Sequence, residues 1–437
     1  MSVDSEARSG LGSRFRRLFG ASVITNLGDG VATVAYPWLA SAITRNPVLI
    51  SLVMVAQRLP WLVFTLPAGV ITDRVDRRRA MVAMDLCRCA LTAVVAVSVL
   101  SKQSGLPGPG EVEDVVGTES GLYVVVLLAT LLLGMAEVLR DNSAQTIMPA
   151  IVAPDQLERA NGRMWSAEGV ANTFLGPPLG SLLIAAAFAL PFFVDAASFF
   201  AAAALVASIP GSFRAERPEG HEPQSWRHEL AEGVRWLWGH ELLRPMAIIL
   251  GLMNAANMVS FATFVLFAQE VLDVGPLLFT VIGMGGALGG IVGGAVASEL
   301  SRRFGSGTCL AITLLGCAAV AGAIAFTSLW PVVFVLFTIE ALLGILWNVI
   351  TVSLRQTIIP AHLLGRVNSV YRFFAWGMMP VGAAIGGLVV LVVDSFASRD
   401  TALRATWIVN ALIHLALFVF GRSRLTTAKI EAARAAV

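Results

Sequence analysis

Long apolar segments alternate along the chain with shorter polar connections. About 20 mostly apolar residues are needed to cross the hydrocarbon core of a bilayer as a helix. By that criterion the pattern predicts twelve membrane-spanning helices, over residues 18–43, 48–71, 80–100, 122–140, 164–188, 190–210, 246–270, 276–298, 308–328, 331–353, 371–393 and 404–421. We therefore predict an all-α membrane protein.

The composition agrees with this pattern, since 56% of the 437 residues are hydrophobic and only 14% are charged. An ordinary soluble protein has about 25% charged residues. The net charge of +2 gives no reason to expect a nucleic-acid partner. The four cysteines lie inside apolar segments and are expected to be packing residues, so no disulfide, metal site or cofactor is predicted.

The first apolar segment follows three arginines, as a secretory signal would. It runs over residues 18–43 and contains Asp29, and it exceeds the about 7–15 residues of a signal's apolar core. We therefore predict an uncleaved first span.

The positions of the basic residues predict the orientation. An even number of spans places both termini on one side, and most of the 31 lysines and arginines fall in the connections on that side. The opposite side holds only Arg45, Lys102, Arg399 and Arg404. Because cytoplasmic loops carry the excess of Lys and Arg, both termini are predicted to be cytoplasmic.

Two motifs recur in the second half of the chain. SAQTIMP (143–149) returns as LRQTIIP (354–360), and GVITDRVDRR (69–78) returns in weaker form as GAVASELSRR (294–303). Each copy follows the corresponding span of its half, which indicates a parallel internal repeat. We predict two six-helix halves, 1–210 and 246–437, joined by a cytoplasmic linker, 211–245.

The stretch GVITDRVDRRRA (69–80) lies between the second and third spans. It resembles the loop signature of the major facilitator superfamily, in which a Gly is followed after three residues by Asp-Arg, one residue, a Gly and a basic run. Asp76 stands where the common pattern has Gly. Asp-Arg-x-Asp-Arg-Arg is similar to the exporter branch that includes the enterobactin exporter and macrolide efflux permeases. The matching residues are Gly69, Asp73, Arg74, Arg77 and Arg78.

This stretch is expected to do more than anchor the topology, although anchoring alone is the alternative. Gly69 would let two helices approach closely, and the arginines would pair with acids on the fourth span. Such a network would close the cytoplasmic side of the protein. Its other expected members are Asp85, Arg88, Glu137, Arg140 and Asp141.

The fifth span contains NTFLGPPLG (172–180), which resembles the antiporter motif of exporting members. Gly176 and Gly180 form a small-xxx-small face, and the prolines are expected to bend the helix. The motif residues are Asn172, Gly176, Pro177 and Gly180. A further family motif, an Arg with a Gln-Gly pair on the fourth span, is absent, so no proton relay is assigned there.

Ionisable residues deep in a span cost at least about 2.5–3.5 kcal/mol and call for an explanation. Asp29, Arg58 and Glu340 are predicted to lie near mid-membrane. Asp29 and Arg58 could pair, either as a static ion pair or with a carboxylate that exchanges a proton for substrate. Glu340 is the candidate of the second half for substrate or proton binding, with an interhelical hydrogen bond as the alternative. Asp195 is interpreted as a helix-end hydrogen-bonding residue, and His414 as a structural one.

The resemblance implies a proton-coupled exporter of amphipathic small molecules, such as drugs, macrolides or siderophores, in a bacterial cytoplasmic membrane. Its partners would be substrate, protons and lipid, and a monomer is expected. No Walker A motif occurs, GMGGALGG (283–290) is predicted to pack helices, and no enzyme activity is expected. The alternatives are a solute importer, a lysophospholipid flippase, or a non-transporting receptor or scaffold.

Overall fold

The computed structural model describes residues 11–72, 74–108, 115, 117–153, 156–214 and 226–435. Helices dominate them and confirm the all-α prediction. The α-helices are α1 Gly12–Ile43, α2 Pro47–Val63, α3 Thr65–Thr72, α4 Arg77–Ser101, α5 Ser120–Ile151, α6 Leu157–Glu168, α7 Gly176–Ala186, α8 Leu190–Ala207, α9 Trp226–Gly239, α10 Leu243–Phe261, α11 Phe264–Glu270, α12 Pro276–Phe304, α13 Ser306–Ala325, α14 Trp330–Ile358, α15 Ala361–Asp394, α16 Arg399–Gly421 and α17 Thr427–Ala435.

In the described chain, eleven helical segments are long and apolar enough to cross a membrane, and Pro47–Val63 is a shorter apolar helix. Many of their large apolar side chains are exposed, among them Val97, Leu128, Val335 and Leu412. A soluble protein rarely exposes so much apolar surface. These side chains therefore form a lipid-facing surface, and the protein is a multi-pass membrane protein.

The second predicted span, 48–71, is wrong as a single helix. It divides at Phe64 into α2 and α3. Pro67 explains the break, because proline lacks an N–H and its ring clashes with the carbonyl four residues earlier, here that of Val63.

The fifth span is also interrupted, in the antiporter-like motif. A π-helical segment, Gly169–Leu175, separates α6 from α7. Pro177 and Pro178 follow it after Gly176, and a π-bulge relieves the clash that a proline ring makes inside an α-helix. Asn172 therefore lies on widened helix, where backbone groups are less regularly paired.

Several helices continue beyond their apolar segments. α5 extends to Ile151 and α14 to Ile358, where the apolar pattern predicts ends at 140 and 353. Charged residues end a hydropathy segment but not a helix, since helices extend into water without breaking hydrogen bonds. The repeated motifs SAQTIMP and LRQTIIP consequently lie at the ends of α5 and α14.

The chain forms two compact units. The first comprises Met1–Ile43, Val63–Asp114 and Glu119–Pro218, and the second comprises Thr44–Leu62, Val115–Thr118 and Glu219–Val437. α2 therefore groups with the second unit. In the first unit an apolar core surrounds the start of α1. It is built from residues such as Phe15, Leu18, Met81 and Ile147. The division into halves at 210 and 246 stays a prediction.

Asp76, the residue that departs from the family signature, is the N-cap of α4. Its carboxylate accepts hydrogen bonds from the backbone N–H of Arg79 at 2.9 Å and of Phe213 at 2.7 Å, and from the Ser212 hydroxyl at 3.0 Å. Partial burial opposes ionisation, but these donors lower the pKa of Asp76 below its usual value of 3.8. The side chain thereby joins the start of α4 to the segment that follows α8.

We expect Asp76→Ala to destabilise the protein by about 1–2 kcal/mol, because capping donors lose their acceptor. A lowered pKa means that the ionised acid contributes its stability above pH 3.8 and loses it as the pH falls through the folded-state pKa. The difference in thermal unfolding between wild type and variant should therefore be constant near neutral pH and shrink below about pH 4. An undiminished difference at pH 3 would show that the carboxylate's charge is not involved.

Candidate transport site

Asp29 lies near the middle of the 32-residue helix α1, between two glycines. Its carboxylate forms an ion pair with Arg88 of α4, with 2.5 Å between Oδ1 and Nη2. The Arg88 side chain is almost completely buried at 4% exposure, whereas that of Asp29 is 28% exposed. The acid is therefore the accessible member of the pair, and the arginine is its fixed partner.

The expected pairing of Asp29 with Arg58 is wrong, since the structure pairs Asp29 with Arg88. Both arginines lie within a helix, but Arg88 belongs to the same compact unit as Asp29, whereas Arg58 belongs to the other. Arg88 has a further contact that holds it in place, because its guanidinium carbon lies 3.9 Å from the centre of the Phe199 ring of α8. Such a cation–π contact stabilises a desolvated arginine.

Gly28 lets α8 pack closely against α1 beside this pair. A Cβ at Gly28 would collide with Oδ1 of Asp195 and with the Ser198 hydroxyl. Asp195 is 3% exposed, and its carboxylate interacts electrostatically with Arg88. The interpretation of Asp195 as a helix-end residue thus missed its place beside the ion pair.

Gly30 and the antiporter-like motif form the contact on the other side of Asp29. A Cβ at Gly176 would lie 2.5 Å from the Gly30 Cα, and one at Gly180 would lie 2.6 Å from the Val31 carbonyl oxygen. The backbone of the motif, including the Asn172 carbonyl, therefore touches the backbone of α1. Only glycine permits helices to approach this closely.

A second arginine, Arg140, extends the charged cluster from Asp29 towards the start of α1. Arg140 of α5 lies 3.5 Å from Asp85 and 3.4 Å from Asp141, and it donates to the Thr25 hydroxyl at 3.4 Å. Asp85 is fully buried and also lies 4.0 Å from Arg88. Asp85 is thus shared by the two arginines, which reach α1 through Asp29 and Thr25.

Carboxylates outnumber guanidinium groups in this cluster. Arg88 and Arg140 lie among Asp29, Asp85, Glu137, Asp141 and Asp195. Buried charges in a membrane protein are normally paired and mark functional pathways. An excess of acids over bases gives the cluster groups that can exchange protons.

The expected gate differs from the observed contacts. Arg77 donates to the Thr146 carbonyl at 2.9 Å and Arg78 to the Ile209 carbonyl at 2.6 Å, so both satisfy carbonyls near helix ends rather than acids of α5. Arg74 is exposed. Asp141 of α5 contacts Arg140 instead, and Asp85 of α4 contacts both Arg88 and Arg140.

Gly69 has no close neighbour, contrary to the expected helix contact, because an added Cβ would meet nothing of the described chain within 4 Å. Asp73 lies outside the described residues.

The other two deep residues lie in the second unit. Arg58 is in α2, with its Nε buried, and Glu340 is in α14. The structure therefore does not bring Glu340 and Arg58 together with Asp29 in one compact unit. In α12, Gly285, Gly289 and Gly293 would collide with α14 if they carried a Cβ, which confirms that GMGGALGG packs helices.

An ion network joins helix ends of the second unit on the side away from α17. Glu270 at the end of α11 binds Arg45 and accepts from Arg399 at 3.0 Å. Arg399 also donates to the Arg45 carbonyl at 2.9 Å and pairs with Asp394 at 3.2 Å. All four basic residues predicted on the sparsely charged side have acidic partners, because Arg404 pairs with Asp400 and Lys102 of the first unit pairs with Glu119.

Long apolar helices, a lipid-facing surface and a charged cluster inside the spans define a multi-pass membrane protein of the transporter class. The chain matches the Major Facilitator Superfamily over residues 18–381. It belongs to that superfamily.

Two relatives of the chain are exporters. The chain is 28% identical over 388 residues to the multidrug efflux pump Tap of Mycobacterium tuberculosis, covering 87% of each chain. It is 22% identical over 427 residues to the enterobactin exporter EntS of Shigella boydii, covering 96% of this chain and 95% of EntS. These similarities confirm the resemblance to the exporter branch.

Solved structures show the same fold at low identity. A bacterial homologue of the iron transporter ferroportin in an inward-facing state matches with a TM-score of 0.70 and 16% identity, covering 95% of this chain and all of that one. The nucleoside transporter NupG matches with a TM-score of 0.67 and 11% identity, covering 94% of this chain and 99% of NupG.

Proposed function

We propose that this superfamily member is a proton-coupled exporter of amphipathic small molecules, such as drugs, macrolides or siderophores. The ion pair between Asp29 and Arg88 is the observation that carries the proposal. It lies within the spans, and its carboxylate is the accessible partner. The functions of the two relatives, multidrug efflux and enterobactin export, support the direction and the substrate class.

Proton exchange at Asp29 would change the charge of the whole cluster. A protonated Asp29 no longer neutralises Arg88, whose remaining nearby acid on the same helix, Asp85, is 4.0 Å away. Arg88 would then interact more strongly with Asp85 and Asp195, the other acids near it. Such a shift connects proton binding to the ion pair between α1 and α4 and to the packing of α1 against α8.

The glycine contacts on either side of Asp29 would transmit that change. Gly28 packs against side chains of α8, and Gly30 packs against the backbone of the π-helical segment and α7. Tightly packed helices move as rigid bodies rather than deform. Movement of α1 with Asp29 would therefore shift α7 and α8 with it, as alternating access requires.

The proposed setting is a bacterial cytoplasmic membrane with both termini on the cytoplasmic side, and the protein would act as a monomer. The distribution of basic residues supports this orientation. The proposed halves, 1–210 and 246–437, would provide the two bodies of the transport cycle.

Substrate accumulation in bacterial cells that lack their own broad-specificity efflux pumps tests the proposal. Cells that express the protein should accumulate less of a fluorescent cationic dye, a macrolide or a catecholate siderophore than cells with an empty vector. A protonophore should remove that difference for the exported compound. Higher accumulation in the expressing cells would instead identify an importer, and movement of a labelled lysophospholipid alone would identify a flippase.

A further inference from the structure

A cleft of about 540 Å³ opens at one end of the second unit. It lies where α10 begins, where α16 ends and where α17 packs against the bundle. Its polar wall contains His240, Glu241, Arg244, Arg424 and Lys429. α10 and α16 are membrane-spanning segments, so the cleft is located at a bilayer surface.

Three basic side chains face this cleft while bonded only to main-chain carbonyls among their described contacts. Arg244 donates to Trp238 at 3.2 Å, Arg424 to Phe420 at 2.8 Å, and Lys429 to Ser423 at 2.8 Å. An arginine has five N–H donors and a lysine has three. Each cation therefore keeps donors for a further acceptor.

His240 adds no charge to the cleft near neutral pH. Its Nδ1 accepts from the backbone N–H groups of Leu242 and Leu243, both at 3.2 Å, at the start of α10. Burial lowers the pKa of His240, although Glu241 opposes that shift. With His240 neutral, the charged lining residues are the three cations and one carboxylate, that of Glu241. The cleft therefore has a net positive charge.

The remaining wall is apolar and is formed by Leu242, Pro245, Ile248, Phe420, Ala432 and Ala433. Ile248 and Phe420 lie one helical turn further into α10 and α16 than Arg244 and Arg424 do. The Phe420 ring also stacks with Arg424, whose guanidinium carbon is 4.0 Å from the ring centre. A ligand that fits both walls needs a phosphate-like anion next to a hydrocarbon chain.

We propose that this cleft binds the phosphate headgroup of an anionic phospholipid, with its acyl chains along Ile248 and Phe420. Basic pockets at the ends of membrane helices bind such headgroups, and anionic lipids are concentrated by Lys and Arg at the membrane surface. Free phosphate would use the cations but leave the apolar wall unused. The inference does not depend on what the protein transports.

Native mass spectrometry of the purified full-length protein tests this site. Protein from nanodiscs that contain equal amounts of phosphatidylglycerol and phosphatidylcholine should retain phosphatidylglycerol selectively. In a variant that combines Arg244→Gln, Arg424→Gln and Lys429→Gln, that retention should fall by about 100-fold, since the three cationic side chains that attract the headgroup are removed. A control that combines Arg163→Gln, Arg302→Gln and Arg303→Gln removes the same charge elsewhere and should retain the lipid.

A charge-conserving variant and a competition with phosphate complete the test. Arg244→Lys with Arg424→Lys keeps the charge and should retain most of the lipid, which separates loss of charge from loss of folding. Inorganic phosphate at millimolar concentration should not displace the bound phosphatidylglycerol. Equal retention by the Gln variant and its control, or full displacement by phosphate, would overturn the assignment to a lipid headgroup.

Discussion

Asp29→Asn is expected to abolish uphill transport driven by a pH gradient while leaving substrate exchange without a gradient measurable. Asparagine keeps the shape of the side chain but cannot release a proton. If Asp29 couples proton movement to transport, a pH gradient can no longer drive substrate in the variant. Exchange of external for internal substrate needs no net proton movement and therefore should persist.

The two activities are measured in proteoliposomes with the same exported compound, once with an imposed pH gradient and once as counterflow at equal pH. Asp400→Asn is the matched control, because Asp400 is a half-exposed acid that pairs with Arg404 at 2.8 Å outside the cluster. The control should behave as wild type. Equal gradient-driven transport by Asp29→Asn and wild type would remove Asp29 from the coupling mechanism.

The same substitution should cost less stability than the about 3–5 kcal/mol that breaking a buried ion pair costs. Arg88 keeps Asp85 at 4.0 Å and the ring of Phe199 at 3.9 Å. Thermal unfolding in detergent checks that the variant is folded before its transport is interpreted.

Gly176→Ala is expected to reduce both stability and transport. The added methyl carbon would lie 2.5 Å from the Cα of Gly30, a distance that only backbone movement can relieve. Overpacking of this kind costs about 1–3 kcal/mol. Since Gly30 adjoins Asp29, the movement would also displace the ion pair with Arg88, and transport should fall more than stability predicts.

Gly169→Ala is the control for this prediction, since Gly169 lies in the same span and an added Cβ there meets nothing within 4 Å. Alanine in place of a helical glycine without a clash should be neutral or slightly stabilising. The melting temperature in detergent and the initial transport rate are compared for both variants. If Gly176→Ala and Gly169→Ala behave alike, close packing of the motif on α1 has no role in transport.

The apolar pattern predicts the fold well because a helix in lipid must satisfy its own backbone hydrogen bonds. Segment length therefore identifies spans directly. The pattern fails at Phe64, where Pro67 breaks a span, and at 169–175, where two prolines follow a π-helical segment. In both places local steric conflict, rather than hydropathy, determines the backbone.

The sequence also identifies Asp29 but not its partner. Position along a helix predicts depth in the membrane, whereas the partner depends on which faces of the helices meet. Arg58 and Arg88 are both arginines inside predicted spans, but only Arg88 shares a compact unit with Asp29, where it also contacts the Phe199 ring of α8. The one signal in the sequence was the position of Arg88 at the centre of the third span.

The basic stretch after Gly69 illustrates a different limit. Family resemblance suggested a network of arginines with acids, yet Arg77 and Arg78 bind carbonyls. Asp76, the residue that departs from the signature, makes the more specific contacts with Ser212 and Phe213. A partner more than a hundred residues away cannot be inferred from local spacing.

Substrate-evoked proton movement in proteoliposomes tests the central claim most directly. An internal pH dye is followed while a macrolide, a cationic dye or a siderophore is added to vesicles that contain the wild-type protein or none. Coupled export predicts a pH change that requires both the protein and a transported compound. Transport of the same compound with no pH change in the wild type would contradict proton coupling.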